Sequence, residues 1–243
     1  MEFESLFRDN AEEWNGLTVY PVRMRDYPAF LTARGCITAA QQSWPYPWST
    51  VKYLDGLVGM GMLPQLAVML QTVLRLEEDP LSVFPKMKGD KLDALLVLQG
   101  KVQAEITSNN FGALRELIAR QNGLELPDET ANLELLEAEK DAGTAGGIRL
   151  KPSLEDLIYS VALKAGAAPE EIMGWTVRRF QAAERAADRS AGHLIAAVTL
   201  AAGGKFKGGN PYPSWKYDRE KQTCAVEPLS TLSGRLSGSV DKK

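Results

Sequence analysis

Histidine and cysteine, the residues most often used for nucleophilic and metal chemistry, are nearly missing from this chain. One histidine, His193, and two cysteines, Cys36 and Cys224, are spread over 243 residues. The cysteines form no CxxC or Cys/His spacing, which argues against a zinc site and against a small disulfide-stapled scaffold. A single disulfide between them stays open at this level. An excess of basic charge is also missing. With 28 Lys+Arg against 31 Asp+Glu the formal charge is -3, whereas a general nucleic-acid binder carries a basic face or stripe. Long apolar runs are absent too. The most apolar stretch, residues 57–76, is interrupted by Gly59, Gly61, Pro64 and Gln65 and lacks the continuity of a membrane span. The first residues, MEFESLFRDNAEEW, are acidic and polar, unlike a signal peptide. A cytoplasmic, reducing setting is therefore expected.

What is present reads mostly as helix. Residues 1–16 suggest a short helical or irregular lead-in closed by an Asn15-Gly16 turn. Leu17 to Arg23 alternates and reads as a strand, with Pro21 favouring an edge. Asp26 is placed to cap a helix through Tyr27 to Leu31. Ser49-Thr50 opens another at Val51, which Gly59 and Gly61 interrupt. From Pro64 to Leu76 the residues Leu66, Met69, Leu70, Val73 and Leu74 form one apolar stripe, with Met60 and Met62 as core filling. The texture then changes. Leu92 to Leu98 and Lys101 to Thr107 flank Gln99-Gly100, and the second of these alternates with period two, so a hairpin is expected. Ser108-Asn109-Asn110 caps a helix through Ile118 that stops at Asn122-Gly123.

Further on, Pro127 to Lys140 is acidic and amphipathic. Glu125, Asp128, Glu129, Glu134, Glu137, Glu139 and Asp141 have no histidine, calcium loop or ExxH pattern beside them, so they read as a solvated face. DAGTAGG, residues 141–147, reads as a linker. Ser153 and Asp156 then make a capping-box start, with Leu154, Leu157, Ile158 and Val161 as the buried face, and Gly166 ends that helix. Pro169-Glu170-Glu171 begins the next, with Met173, Thr176, Val177 and Phe180 on one stripe and Arg178, Arg179, Arg185 and Arg189 on other faces. That helical pair permits a helix-turn-helix reading, which Glu170, Glu171, Glu184 and the net acidity weaken. Ser190 lies one helical turn from His193 without a nucleophile-elbow context. The glycine-rich run 203–209 lacks phosphate-loop spacing and follows a helix instead of preceding one. It reads as a hinge presenting Phe206, Tyr212, Trp215 and Tyr217. No catalytic, cofactor or metal constellation emerges.

The order of several blocks carries a resemblance. YPVRMRDYPAFL (Tyr20 to Leu31), ALRELIARQNGLEL (Ala113 to Leu126), SLEDLIYSVALKAGAAPEEIMGWTVRRFQAAERA (Ser153 to Ala186) and a late AAGG…PSW resemble a family of tail-module proteins from phages and prophages of Gram-positive bacteria. The shared pattern is a V-K/R-M-K/R-D-Y start, a helix ending in QNG, and SLEDLI followed by T-x-R-x-F. The resemblance implies a tail assembly chaperone, not an enzyme. It would bind the tape-measure protein, with the tail-tube protein as a second partner and self-association admitted. Its place would be the bacterial host cytoplasm or the virion tail. The rival readings are a tail component retained in the virion and the DNA-binding regulator.

The expected fold class is α+β, predominantly α-helical with a small antiparallel sheet or hairpin. The expected division is a mixed N-terminal region 1–141, a linker 142–151, a helical module 152–218 and a flexible tail 219–243. Without a cofactor or metal site, the candidate residues are contact residues. They are the aromatics Trp44, Tyr46 and Trp48 of the SWPYPWS segment, Tyr212 and Trp215, and secondarily Arg178 and Arg179. The SWPYPWS rings also admit a plainer role, as a rigid plug at the edge of the core.

Overall fold

A computed structural model of the chain describes residues 10–76, 82–89, 91–128, 153–206 and 209–216. The fold is α+β, with two small antiparallel sheets among a majority of helices. The described residues belong to two compact units, Met1–Glu184 and Arg185–Lys243. The acidic segment beyond residue 128, the linker at 142–151, Tyr217 and the tail at 219–243 lie outside the described residues.

The first unit begins with a hairpin, β1 (Glu12–Trp14) and β2 (Leu17–Val19), where a helical or irregular lead-in was expected. Its two-residue turn places Asn15 at φ 49° and Gly16 at φ 79°. Positive φ at both central positions matches the twist of the flanking strands, and Asn-Gly is the pair that adopts it most readily. The strand expected through Arg23 ends at Val19, because Pro21 cannot continue a ladder. Beyond it the backbone finds other partners. Tyr20 N–H donates to Val73 O at 2.7 Å, Val22 N–H donates to Asn122 Oδ1 at 2.8 Å, and Arg23 forms an isolated bridge with Thr176.

Helices α1 (Tyr27–Ala33), α2 (Gly35–Thr38), α3 (Tyr53–Gly59) and α4 (Leu63–Leu74) follow. Neither Asp26 nor Ser49-Thr50 caps as expected: Asp26 makes no side-chain cap bond, and α3 starts later, after Lys52. The α4 stripe is as periodicity predicts, with Leu66, Met69, Leu70, Val73 and Leu74 all buried. Three strands come next, β3 (Val83–Lys88), β4 (Lys91–Gln99) and β5 (Val102–Ile106), with β4 central. The β4–β5 hairpin is the expected one; β3 was not foreseen. Gln99 ends β4 and joins three elements through one amide. Its Nε2 donates to Thr18 O at 2.9 Å and Leu74 O at 2.7 Å, and its Oε1 accepts from Thr18 N–H at 2.8 Å.

Helix α5 (Phe111–Asn122) ends at Gly123 in the left-handed conformation. Helix α6 (Leu154–Ala165) opens with the complete Ser153/Asp156 capping box and ends at left-handed Gly166. The single helix expected from Pro169 is two. Helix α7 (Pro169–Ile172) has four residues, and α8 (Val177–Ala201) starts after a break at 173–176. The break arises because the backbone there pairs with the N-terminal strand segment. Met24 N–H donates to Trp175 O at 2.9 Å, Arg25 N–H to Met173 O at 3.1 Å and Val177 N–H to Val22 O at 2.8 Å. Val161, Ile172, Val177 and Phe180 therefore share one core with Leu17, Val19, Met24 and Phe30.

Asn122 is fully buried, accepts from Val22 N–H and donates to Ile118 O at 2.9 Å. Asn122→Ala leaves the Val22 amide without its acceptor, and an unsatisfied buried donor costs about 1–3 kcal/mol. A loss of about 2 kcal/mol in urea unfolding, with an unchanged m-value, is the expected outcome.

Candidate functional site

The aromatic loop is built on two glycines of α3. A Cβ on Gly56 would stand 2.5 Å from the Trp44 ring, and one on Gly59 would stand 2.4 Å from the Trp48 ring. Each indole therefore rests directly on helix backbone, where only glycine leaves room. Trp44 is 8% exposed and heads an aromatic ladder, with Tyr53 at 5.1 Å and Phe111 a further 6.1 Å from Tyr53 between ring centroids. The Arg115 guanidinium lies 3.7 Å above the Tyr53 ring, and its Nε donates to Ile37 O at 2.7 Å. Gln41 Nε2 closes the loop by donating to Trp48 O and Val51 O. The candidate trio thus separates. Trp44 belongs to the core and is not an exposed contact residue, and Trp48 is half-buried against α3. Tyr46 stands out from this pinned loop, 84% exposed.

The two arginine candidates also serve the fold. Arg178 Nη1 donates to Arg120 O at 3.0 Å, and its stem lies against Gly123. The Arg179 guanidinium sits 4.2 Å over the Trp175 ring and is exposed. Cation–π stacking at such a site contributes about 0.5–1 kcal/mol. For the helix-turn-helix reading, the helix that would enter a groove begins at Val177, not Pro169, and Arg178 is tied to α5.

In the second unit, Arg185–Ala201 of α8 is followed by a reversal at Gly203, with Gly204 N–H donating to Thr199 O at 2.9 Å. The returning chain lays Tyr212 on Gly192, where a Cβ would meet the ring at 2.7 Å. His193 Nδ1 lies 2.9 Å from Tyr212 O, so the Nδ1–H tautomer donates and the imidazole acts as a brace. Tyr212 and Trp215 both stay exposed, with Lys216 Nζ 5.5 Å above the Trp215 ring. What sequence reasoning missed lies on the helix itself. Leu194, Ile195 and Val198 are 65%, 66% and 61% exposed. Their signal was legible, since residues 190–204 contain no Asp, Glu, Lys or Arg.

An open cleft of about 580 Å³ between α3 and α5 is lined by Lys52, Tyr53, Ser108, Asn109, Phe111 and Arg115. Its polar groups engage one another: Lys52 Nζ donates to Asn109 Oδ1 and Ser108 Oγ to Asp55 Oδ1. Among the described residues no group of three His, Cys, Asp or Glu could hold a metal ion, and no helix is long and apolar enough to cross a membrane. Cys36 is buried, and desolvation pushes its thiol up from 9.0 to about 12, which disfavours the nucleophilic thiolate. No family model, no curated protein and no solved structure matches the chain.

Two outcomes are expected. Gly59→Ala destabilises the fold by about 1–3 kcal/mol through overpacking against Trp48, although alanine is the better helix former by about 1 kcal/mol. Thermal unfolding decides the sign, with Tyr46→Ala within about 0.5 kcal/mol of wild type as the surface control. The second concerns pH. The folded Cys36 thiol stays neutral above 9.0, where an unfolded one ionises. Its contribution is whole below that value and is lost as pH rises toward 12. Wild type therefore loses more stability than Cys36→Ala on crossing pH 9.0, measured by urea unfolding on either side.

Proposed function

We propose that the protein acts by protein–protein contact in phage tail assembly, as a chaperone that binds the tape-measure protein. The observation that carries the contact reading is Tyr46, 84% exposed on a loop whose neighbouring indoles are seated against α3. An aromatic held on a pinned loop loses little freedom on binding and supplies a large contact area, the properties of an interface anchor. Trp215 and Tyr212 present rings in the same way from the second unit. A tape-measure protein, long and helical with apolar faces, is a partner suited to such anchors. The phage setting itself rests on the order of the VRMRDY, QNG, SLEDLI and T-x-R-x-F blocks. Tail-tube subunits are the second partner in this reading.

Co-expression with a tape-measure protein tests it. The wild type is expected to hold that protein in the soluble fraction and copurify with it. Tyr46→Ala and Trp215→Ala each weaken the complex by about tenfold or more, the scale of a lost hot spot. A tape-measure protein that remains insoluble and unbound beside folded wild type sinks the chaperone reading. Detection of the chain in purified particles by mass spectrometry identifies a retained tail component instead.

A further inference from the structure

Within the first unit, an open groove of about 440 Å³ lies between α6 and α7. Leu154, Ile158 and Tyr159 line it from α6, and Pro169 and Met173 from α7 and its C-terminal end. Leu154, Ile158 and Pro169 are half-buried, whereas Tyr159 is 56% exposed and Met173 is exposed beside it. The apolar surface continues along α6. Leu163 lies one turn beyond Tyr159 on the same face and is 84% exposed. Each helix also contributes one glutamate to the lining, Glu155 from α6 and Glu170 from α7, and no basic residue lines the groove. A first-turn glutamate complements the dipole of its own helix, but α7 is a single turn with little dipole to complement.

The charges of the groove select its occupant. Glu155 and Glu170 are both exposed, and neither is engaged by a cation among the described residues. The nearest basic groups are committed or turned away. The Arg25 amide meets Met173 O, but its guanidinium is held by Asp26 at 3.6 Å. Lys164 falls on the far side of α6 from Glu155 by helical phase. A second copy of the chain brings the same glutamates to the contact, so a two-fold pairing through this groove sets like charge on like. An anionic lipid surface is repelled in the same way. We infer that the α6–α7 groove docks a basic amphipathic helix of a partner protein. Apolar side chains on one face of that helix fill the space beside Leu154, Ile158 and Met173, as helices do in apolar grooves. Lysines or arginines flanking that face meet Glu155 and Glu170, and the open Tyr159 ring offers them a cation–π surface. The inference stands on the groove and not on the tape-measure reading.

Fluorescence anisotropy of two labelled peptides titrated with the full chain tests it, with circular dichroism confirming that each variant is folded. One probe is the amphipathic leucine–lysine helix LKKLLKLLKKLLKL, and the other carries glutamate at every lysine position. Wild type is expected to bind the lysine peptide and not the glutamate peptide. Glu155→Lys with Glu170→Lys weakens the lysine peptide by about tenfold or more and gains affinity for the glutamate peptide, since both attractions become repulsions. Tyr159→Ala with Leu163→Ser, two changes at exposed positions, weakens the lysine peptide by about tenfold. Leu194→Ser with Val198→Ser, on the exposed apolar stretch of α8, leaves it unchanged. Wild type that does not bind the lysine peptide overturns the inference. So does binding that is indifferent to charge reversal at 155 and 170, or that is lost through the changes at 194 and 198. None of these outcomes bears on tape-measure binding, which is read separately by copurification.

Discussion

The first unit depends on one buried amide. The extended segment after Pro21 has left its strand partner and carries backbone donors into the interior, where each must be satisfied. Asn122, at the last turn of α5 and 100 residues from Val22 in sequence, supplies the acceptor. Two residues later Met24 N–H finds Trp175 O, and Val22 O takes the Val177 amide. Two distant segments are thus closed around a single stretch of irregular backbone. The cost of leaving any of those groups unpaired in the core holds the arrangement together more than any local preference does.

This junction gives the VRMRDY, QNG and T-x-R-x-F blocks a physical meaning. VRMRDY contributes the extended segment, QNG contributes Asn122 and the left-handed Gly123 against which the Arg178 stem lies, and T-x-R-x-F contributes Thr176, Arg178 and Phe180. These blocks are the residues that close the fold. Contact residues must then be sought outside them, on the pinned aromatic loop and in the groove between α6 and α7.

Much of the local structure was legible because its signals are local. The α4 stripe, the alternation in β5, the Ser153/Asp156 box and the glycine stops at 123 and 166 all act within a few residues. The misses share the opposite property. The break between α7 and α8 is imposed by the strand segment at 22–25, not by anything in residues 169–180 alone. Glu12–Trp14 is too short and polar to announce a strand until Leu17–Val19 is set beside it. Trp44 looked like a contact residue because a tryptophan beside a proline in a loop reads as exposed. What decides its burial is a gap on a neighbouring helix, left by a missing side chain at Gly56.

The two glycine seats also constrain how this chain can drift. Alanine at position 59 crowds an indole at position 48, and the same holds for positions 56 and 44. A side chain at either glycine costs least once the facing indole has become smaller, so the members of each pair are coupled. The SWPYPWS loop and the DGLVG helix form one heritable unit, and transplanting the loop onto another scaffold would require carrying its two glycines with it.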